Sequence, residues 1–193
     1  HTLLITGRLE DAARDTAALL ALDPNNPIYA YYDARARGQP PRHQPTELNR
    51  QLFDAEAHIF DQQLVQGLRY RLPQQVAKKL LALHPNRKLD LLDLGCGTGL
   101  LGAQLGKIKG RMVGVDLSPK MLEQAQRHNV YDRLDVADLH DTLRAAAARS
   151  WDVITALDVC IYLGDLSDAI AGAWRALVPG GLLVYSCESG PED

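Results

Sequence analysis

Three glycines at alternate positions follow a short apolar stretch, and no other feature of the sequence restricts the fold as strongly. Residues 89–99 read LDLLDLGCGTG, and a helical pattern of leucines comes directly after them. The apolar stretch predicts a buried strand, while the glycines permit positive φ and a close approach of ligand to main chain. Because open α/β sheets bind ligands at the carboxyl ends of their strands, the pattern predicts a nucleotide-like ligand here. The alternative is a tight strand–helix turn without a ligand.

The composition excludes several classes of protein. A chain of 193 residues with 46% hydrophobic and 23% charged residues is typical of a soluble globular domain with an appendage. A net charge of −3 gives no basic surface for nucleic acid, and no apolar run has membrane-spanning length. Three scattered cysteines and six histidines without ligand spacing predict no metal site and a reducing, cytoplasmic location.

The first 38 residues form a helical pattern of their own. It resembles the second helix of a tetratricopeptide repeat, whose Gly, Ala, Leu-Leu and Pro offsets are matched by Gly7, Ala12, Leu19, Leu20 and Pro24. Thr16 departs from the repeat, which often has an aromatic residue there. Ile28 to Arg37 would begin the next repeat, and residues 39–45 form a Pro-rich linker. We expect a repeat remnant at 1–38 that contacts a protein partner, the alternative being an ordinary helical hairpin.

A further helical stretch precedes the glycine motif. Thr46 is the expected N-cap of a helix from Glu47 to about Gln66, in which Phe53 and Phe60 lie seven residues apart on one face. This helix either packs on the next domain or also covers its ligand site. Residues 70–73 (YRLP) are expected to end it, and a second helix is predicted from Gln74 to Leu83.

Strands and helices alternate from residue 89 onward, which predicts an α/β fold with a Rossmann-like, doubly wound parallel sheet. We assign residues 46–193 to this domain, with its C-terminal strands missing. Helices are expected at Gly99 to Lys107, after Ser118 and Pro119, at Leu139 to Ala148, and from Asp165 to Leu177. The predicted strands are Leu89 to Leu94, Arg111 to Asp116, Leu134 to Ala137, Trp151 to Leu157, and Leu182 to Ser186 after a Pro179-Gly180-Gly181 turn.

Three acidic residues lie at or just after predicted strand ends. Asp116 ends the second strand, where a carboxylate can accept hydrogen bonds from a ribose diol. Asp138 follows the third strand, and Asp158 follows the fourth. Since parallel strands end at one edge of the sheet, all three are expected in one crevice. Residues 97–102 also fit the dinucleotide pattern GxGxxG, but no nicotinamide pocket is evident in the sequence.

Several motifs together resemble class I S-adenosylmethionine-dependent methyltransferases. The segment LDLGCGTG (92–99) looks like their first motif, and VGVDLSPKML (113–122) looks like their second. DVADL (135–139), WDVI (151–154) and LVPGG (177–181) are similar to their later motifs. Residues 53–73 further resemble bacterial methyltransferases that carry tetratricopeptide repeats, although Glu56 stands where those relatives commonly have a tyrosine. The resemblance implies S-adenosylmethionine as cofactor and methyl transfer to a small-molecule or protein acceptor.

The resemblance also implies roles for individual residues. The glycine turn would cradle the methionine end of the cofactor, while Asp93 would hold that turn or reach the ammonium group. Asp116 would bind the ribose hydroxyls, and Asp138 would accept from the adenine amino group. Asp158 and Tyr162 would line the methyl-transfer side, with Asp158 the candidate base. The full set of expected cofactor-binding residues is Tyr70, Asp93, Gly95, Cys96, Gly97, Gly99, Asp116, Leu117, Met121, Ala137, Asp138, Leu139 and Asp158.

Other interpretations stay open at this point. Asp158 could order only the cofactor or a loop, and Tyr162 could simply pack under the next helix. Cys96 is a reactive thiol or, more simply, a small buried residue that fills the turn. The whole chain could be a scaffold with a noncatalytic methyltransferase-like fold, or an NAD-dependent dehydrogenase.

Overall fold

A computed structural model describes residues 4, 6–39, 44–60, 70–163 and 165–187. The chain divides into two compact units, His1–Asn49 and Arg50–Asp193. Within the described residues, no helix has the length and apolar character needed to cross a membrane.

The first unit contains two consecutive helices, α1 (Leu9–Leu22) and α2 (Pro27–Ala36). Asn26 caps α2, because its side chain accepts hydrogen bonds from the backbone N–H groups of Ile28 and Tyr29 at 3.0 and 3.3 Å. The buried Thr16 hydroxyl donates to the Asp33 carboxylate at 2.9 Å and so links α1 to α2. The two helices thus form a helical pair joined by a buried polar contact.

Helix α3 (Thr46–Glu56) begins in the first unit and ends in the second. It was predicted to continue to Gln66, but it ends at Glu56 and residues 57–59 form a turn; residues 61–69 lie outside the described residues. Leu72 and Pro73 begin helix α4 (Leu72–Leu83) rather than interrupting a helix. The proline fits there because the first turn of a helix needs no hydrogen bond from that backbone nitrogen.

The second unit is built on a parallel sheet of five strands in the order β3-β2-β1-β4-β5. The strands are β1 (Leu91–Leu94), β2 (Met112–Asp116), β3 (Arg133–Val136), β4 (Trp151–Ala156) and β5 (Leu177–Tyr185). The glycine-motif strand β1 lies at the centre, between β2 and β4. The Rossmann-like parallel sheet predicted from the sequence is therefore confirmed.

Helices cover both faces of this sheet. They are α4, α5 (Leu100–Leu105), α6 (Pro119–Arg127), α7 (Leu139–Ala145) and α8 (Ser167–Ala176), with a 3₁₀ turn at Cys160–Tyr162. Neighbouring residues of β1 point to opposite faces, since Leu91 packs in one core cluster with α4 and α5 and Leu92 in another with α7 and α8. Burial on both faces explains why the strands read as almost continuous apolar runs.

Two predicted boundaries near the C-terminal end were wrong. Leu166 is the N-cap of α8, and the Asp165 carboxylate accepts instead from the Ser167 N–H at 2.8 Å. Strand β5 begins at Leu177 and includes the Pro179-Gly180-Gly181 sequence, which was expected to be a separate turn. The pairing with β4 shifts register there, and Gly180 has a φ of +80°, so the glycines form an irregularity inside the strand.

Candidate active site

A cavity of about 410 Å³ lies at the carboxyl edge of the sheet, bordered by the loops after β1, β2, β4 and β5 and by residues from α3, α4 and α5. This volume lies in the range of small-molecule sites. Nine of the predicted site residues line it: Tyr70, Asp93, Gly95, Cys96, Gly97, Asp116, Met121, Asp158 and Tyr162.

The glycine turn after β1 takes the left-handed conformation at each of its three glycines, with φ of +64° at Gly95, +54° at Gly97 and +82° at Gly99. Residue 95 also has to be a glycine for steric reasons, because a Cβ there would lie 2.7 Å from a methyl carbon of Val159. Gly97 faces open space, and the nearest neighbour to a Cβ there is the Phe60 ring at 4.0 Å. Gly95 thus brings two loops together, and Gly97 leaves bare main chain in the cavity.

Asp116 joins the end of β2 to the glycine turn. One of its carboxylate oxygens accepts from the Gly97 N–H at 2.9 Å, and the other accepts from the Ser118 N–H at 2.8 Å. Burial raises its pKa, and these backbone donors act against that shift. An ionised carboxylate has about four acceptor positions, so lone pairs that the backbone donors leave unused can accept from hydroxyl donors such as a ribose diol.

Asp93 is the most enclosed acidic residue of the site, with only 3% of its surface exposed. The Thr155 hydroxyl donates to one carboxylate oxygen and the Tyr131 hydroxyl to the other, each at 2.7 Å. Burial raises the pKa of Asp93 to about 6, although both hydroxyl donors favour the charged form. Asp93 therefore holds β1, β4 and the segment before β3 together while it also lines the cavity.

Tyr131 was not recognised as a site residue in the sequence. A Cβ on Gly102 would lie 2.5 Å from the Tyr131 ring, and a Cβ on Gly99 or Gly114 would lie 3.1 or 3.0 Å from it. These three glycines therefore make room for one aromatic ring. The second and third glycines of the GxGxxG match, Gly99 and Gly102, thus have a packing explanation that requires no dinucleotide.

Asp158 lies across the cavity from Asp116, directly beyond β4. Its φ of +53° is unusual for a residue with a side chain. Ser186 stabilises this conformation, since its Oγ accepts from the Asp158 N–H at 2.6 Å and donates to the Asp158 carboxylate at 2.5 Å. Tyr70 is also hydrogen-bonded to this carboxylate. The pKa of Tyr70 is raised, first by burial and then by the interaction with Asp158. A hydroxyl-rich acidic site thus borders the β4 side of the cavity.

Aromatic rings border the cavity opposite the glycine turn. The Phe53 ring contacts the Tyr162 ring edge-to-face, with centroids 5.4 Å apart, and the Phe60 ring in the same manner at 6.1 Å. The seven-residue spacing of the two phenylalanines was the signal that these rings share a face. They provide an apolar boundary that can exclude water from the cavity.

Five predicted cofactor-binding residues do not line the cavity. Gly99 packs against Ala125 and Tyr131. Asp138 caps α7, accepting from the His140 N–H at 2.7 Å, and Leu139 belongs to the core. Leu117 and Ala137 are the other two, and Ala137 packs against the same core. Their cofactor contacts stay predictions. Cys96 is buried, and burial raises the pKa of its thiol well above the usual value, which favours its role as a packing residue.

The central glycine turn, the acid after β2 and the sheet order together define a class I methyltransferase-like fold. The model of the family described as a methyltransferase domain matches residues 92–183. The ubiquinone biosynthesis O-methyltransferase of Cereibacter sphaeroides is 30% identical over 121 residues, covering 60% of this chain and 49% of that protein. That of Proteus mirabilis is 27% identical over 99 residues, covering 50% and 40%. The chain spans about half the length of these curated relatives or less.

Solved structures agree on the fold. DhpI in complex with S-adenosylhomocysteine (SAH) superposes with a TM-score of 0.59 at 23% identity, covering 72% of this chain and 67% of that one. The magnesium protoporphyrin IX methyltransferase of Synechocystis PCC 6803 with bound SAH gives a TM-score of 0.54 at 21% identity, covering 66% and 65%. Residues 92–183 thus match the methyltransferase-domain family model in sequence, and the chain shares the fold of these solved structures.

Proposed function

We propose that this chain binds S-adenosylmethionine in the carboxyl-edge cavity and transfers its methyl group to an acceptor. The observation that carries the proposal is Asp116, whose carboxylate is tied to the glycine turn and lines the cavity with acceptor oxygens that suit a ribose diol. The acidic lining from Asp93 and Asp158 also suits a ligand that bears positive charge.

Each residue of the cavity has a specific task in this proposal. Asp93 faces the ammonium group, the turn at Gly95 and Gly97 cradles the amino-acid part, and Met121 packs against the base. The cofactor supplies an activated methyl group on a sulfonium, so positioning and exclusion of water are the main contributions of the protein. The rings of Phe53 and Phe60 cover the cavity for that purpose.

The acceptor is proposed to enter on the side of β4 and β5. Asp158, Tyr70 and Tyr162 line this side, and Asp158 is the candidate group to receive the proton of an attacking hydroxyl. The names of the curated relatives describe methylation at oxygen, which makes a hydroxyl-bearing small molecule the first class to test. A protein side chain is the other class.

The helical pair of the first unit is proposed to be a tetratricopeptide-like segment that binds a protein partner. Three leucines on α1 support this role, since Leu9, Leu19 and Leu22 are 46%, 38% and 83% exposed within the described residues. Exposed apolar side chains on one helix of such a pair are typical of surfaces that pack against another helix.

The proposed activity is tested by calorimetric titration of the wild-type protein with SAH. We expect micromolar affinity and a loss of at least about thirtyfold in Asp116→Ala, because the diol then loses a charged acceptor. Asp168→Ala, which removes an exposed acid of α8 outside the cavity lining, is the matched control and is expected to bind normally. No SAH binding by the folded wild type would leave the scaffold interpretation, and heat with NAD instead would favour a dehydrogenase.

A further inference from the structure

We propose that Asp54, in α3, is a positioning residue that fixes the adenosine-binding loop after β2 by holding Ser118. The inference rests on the proposed cofactor site. It adds a function for a residue that the sequence motifs of the sheet do not contain, since Asp54 precedes Ser118 by 64 positions.

The contact between Asp54 and Ser118 is short and enclosed. The Ser118 hydroxyl donates to an Asp54 carboxylate oxygen at 2.5 Å, and the Lys120 N–H approaches the same oxygen at 3.4 Å. Ser118 is 0% exposed. A charge-assisted hydrogen bond to a buried hydroxyl is among the stronger polar contacts in proteins, and its loss leaves a buried donor unpaired.

Ser118 connects Asp54 to the residues that line the cavity. Its N–H donates to Asp116 at 2.8 Å, and its Oγ accepts from the Met121 N–H at 3.1 Å as the N-cap of α6. A serine hydroxyl has a single proton, so its donation to Asp54 leaves the oxygen lone pairs for the Met121 N–H. Asp54 thereby sets the rotamer of the residue that fixes both Asp116 and the start of α6.

Simple stabilisation of the fold explains this arrangement poorly. Burial is the main cause of the raised pKa of Asp116, and the negative charge of Asp54 adds to it, which is a repulsive interaction. Arg50 forms an ion pair with Asp54 at 3.7 Å, a long distance for such a pair, and the arginine side chain is 41% exposed. We therefore attribute the acidic residue at position 54 to the need to hold the Ser118 side chain in one orientation.

The neighbouring residue on α3, Phe53, makes a contact on the other side of the cavity. Phe53 packs on Tyr162, which follows β4, while Asp54 holds Ser118, which follows β2. One turn of α3 therefore contacts the loops on both sides of the central strand β1. Release of Asp54 is expected to loosen the β2 side and leave the aromatic contact in place.

The test compares SAH affinity in the wild type, Asp54→Ala and Asp54→Asn, with Gln51→Ala as a control at an exposed position of the same helix. We expect about a tenfold loss in Asp54→Ala, as for a hydrogen bond to a charged group. Asp54→Asn is expected to stay within about threefold of the wild type, because its amide oxygen can still accept from Ser118. Gln51→Ala is expected to bind normally.

A second ligand separates positioning from general destabilisation. The wild type should bind SAH about tenfold more tightly than its 2′-deoxyadenosyl analogue, since the latter lacks one hydroxyl for Asp116. In Asp54→Ala we expect this ratio to fall to about threefold, whereas a merely less stable protein would keep the ratio. SAH binding within twofold of the wild type and an unchanged ratio in Asp54→Ala would overturn the inference alone. A wild type that binds no SAH would overturn the proposed function with it.

Discussion

The Tyr131 hydroxyl donates a hydrogen bond to the Asp93 carboxylate at 2.7 Å, beneath the glycine turn that borders the cavity. The ring of the same tyrosine fills the space left by Gly99, Gly102 and Gly114. Tyr131 therefore has two separable roles, one for its ring and one for its hydroxyl.

Tyr131→Phe separates these roles, because phenylalanine keeps the ring and removes the donor. We expect the free energy of unfolding to fall by about 1.5 to 3 kcal/mol, as for a hydrogen bond to a charged group, and the pKa of Asp93 to rise further. Urea denaturation at pH 7 measures the first effect. Tyr185→Phe, at a tyrosine that is 46% exposed, is the control and should change little. Equal stabilities for Tyr131→Phe and the wild type would contradict the role of the hydroxyl.

The raised pKa of Asp93 predicts a pH dependence of stability. Its value of about 6 lies above the ordinary 3.8, so between about pH 4 and pH 6 the folded chain binds more protons than the unfolded chain. The contribution of Asp93 to the free energy of unfolding therefore falls as the pH rises through this window. At about 1.4 kcal/mol per pH unit, the decrease is roughly 3 kcal/mol.

Asp93→Asn isolates this contribution, because it removes the titrating group and preserves the side-chain shape. The difference in unfolding free energy, wild type minus Asp93→Asn, should decrease from pH 4 to pH 6 and then level off. Denaturant titrations at half-unit pH intervals measure this difference. A difference that is flat or that increases over the window would show that the pKa of Asp93 is not raised.

Two glycine-to-alanine substitutions are expected to differ in their main effect: one mainly lowers stability, and the other mainly weakens ligand binding. Gly102→Ala places a Cβ 2.5 Å from the Tyr131 ring, so overpacking should cost about 1 to 3 kcal/mol of stability. Gly97→Ala meets only Phe60 at 4.0 Å, and its positive φ costs about 1 to 2 kcal/mol.

Titration with SAH distinguishes Gly97→Ala from Gly102→Ala. Gly97→Ala puts a methyl group into the cavity and should weaken binding at least about tenfold, a much larger loss than for Gly102→Ala measured on folded protein. Thermal melts provide the matching stability series. If Gly97→Ala bound SAH normally, the glycine turn would not be in contact with the ligand.

In the first unit, Thr16→Val tests the buried contact between α1 and α2. Valine preserves the shape and removes the hydroxyl that donates to Asp33, so about 1 kcal/mol of local stability should be lost. The protected amides of α1 and α2 in the whole chain should then exchange hydrogen about fivefold faster. Asp33 keeps its ion pair with Arg37, so its pKa should stay below the usual range. Unchanged exchange would show that the hydroxyl bond is unimportant.

The sequence allowed the parallel sheet and the central glycine turn to be predicted, because apolar strand patterns and glycine spacing depend on neighbours in the chain. Ser118 as the cap of α6 was predictable for the same reason. The long-range contacts within and around the site could not be predicted in this way. Tyr131 reaches Asp93 across 38 positions, and Asp54 reaches Ser118 across 64, so neither contact leaves a local pattern.

The boundary errors have a similar cause. Helix α3 ends at Glu56, although apolar residues continue at helical spacing beyond it. Pro179, Gly180 and Gly181 stay in β5 because strand β4 offers pairing on both sides of the irregularity. In β5, pairing with the neighbouring strand outweighed the local preference of these residues for a turn. Of the three glycines around Tyr131, only Gly99 was assigned to the ligand turn from the sequence, and its contact with the Tyr131 ring was not predicted.

The contact between Gly95 and Val159 has a consequence for how this scaffold can diversify. Val159 directly follows Asp158, so the turn after β1 and the loop after β4 meet without space for a single extra carbon. The width of the cavity at this point is therefore set jointly by the absence of a side chain at Gly95 and by the size of the Val159 side chain, so a smaller residue at position 159 would widen it. A substitution at Phe53 changes the loop after β4 alone, through Tyr162, whereas a substitution at Val159 acts where the two loops meet.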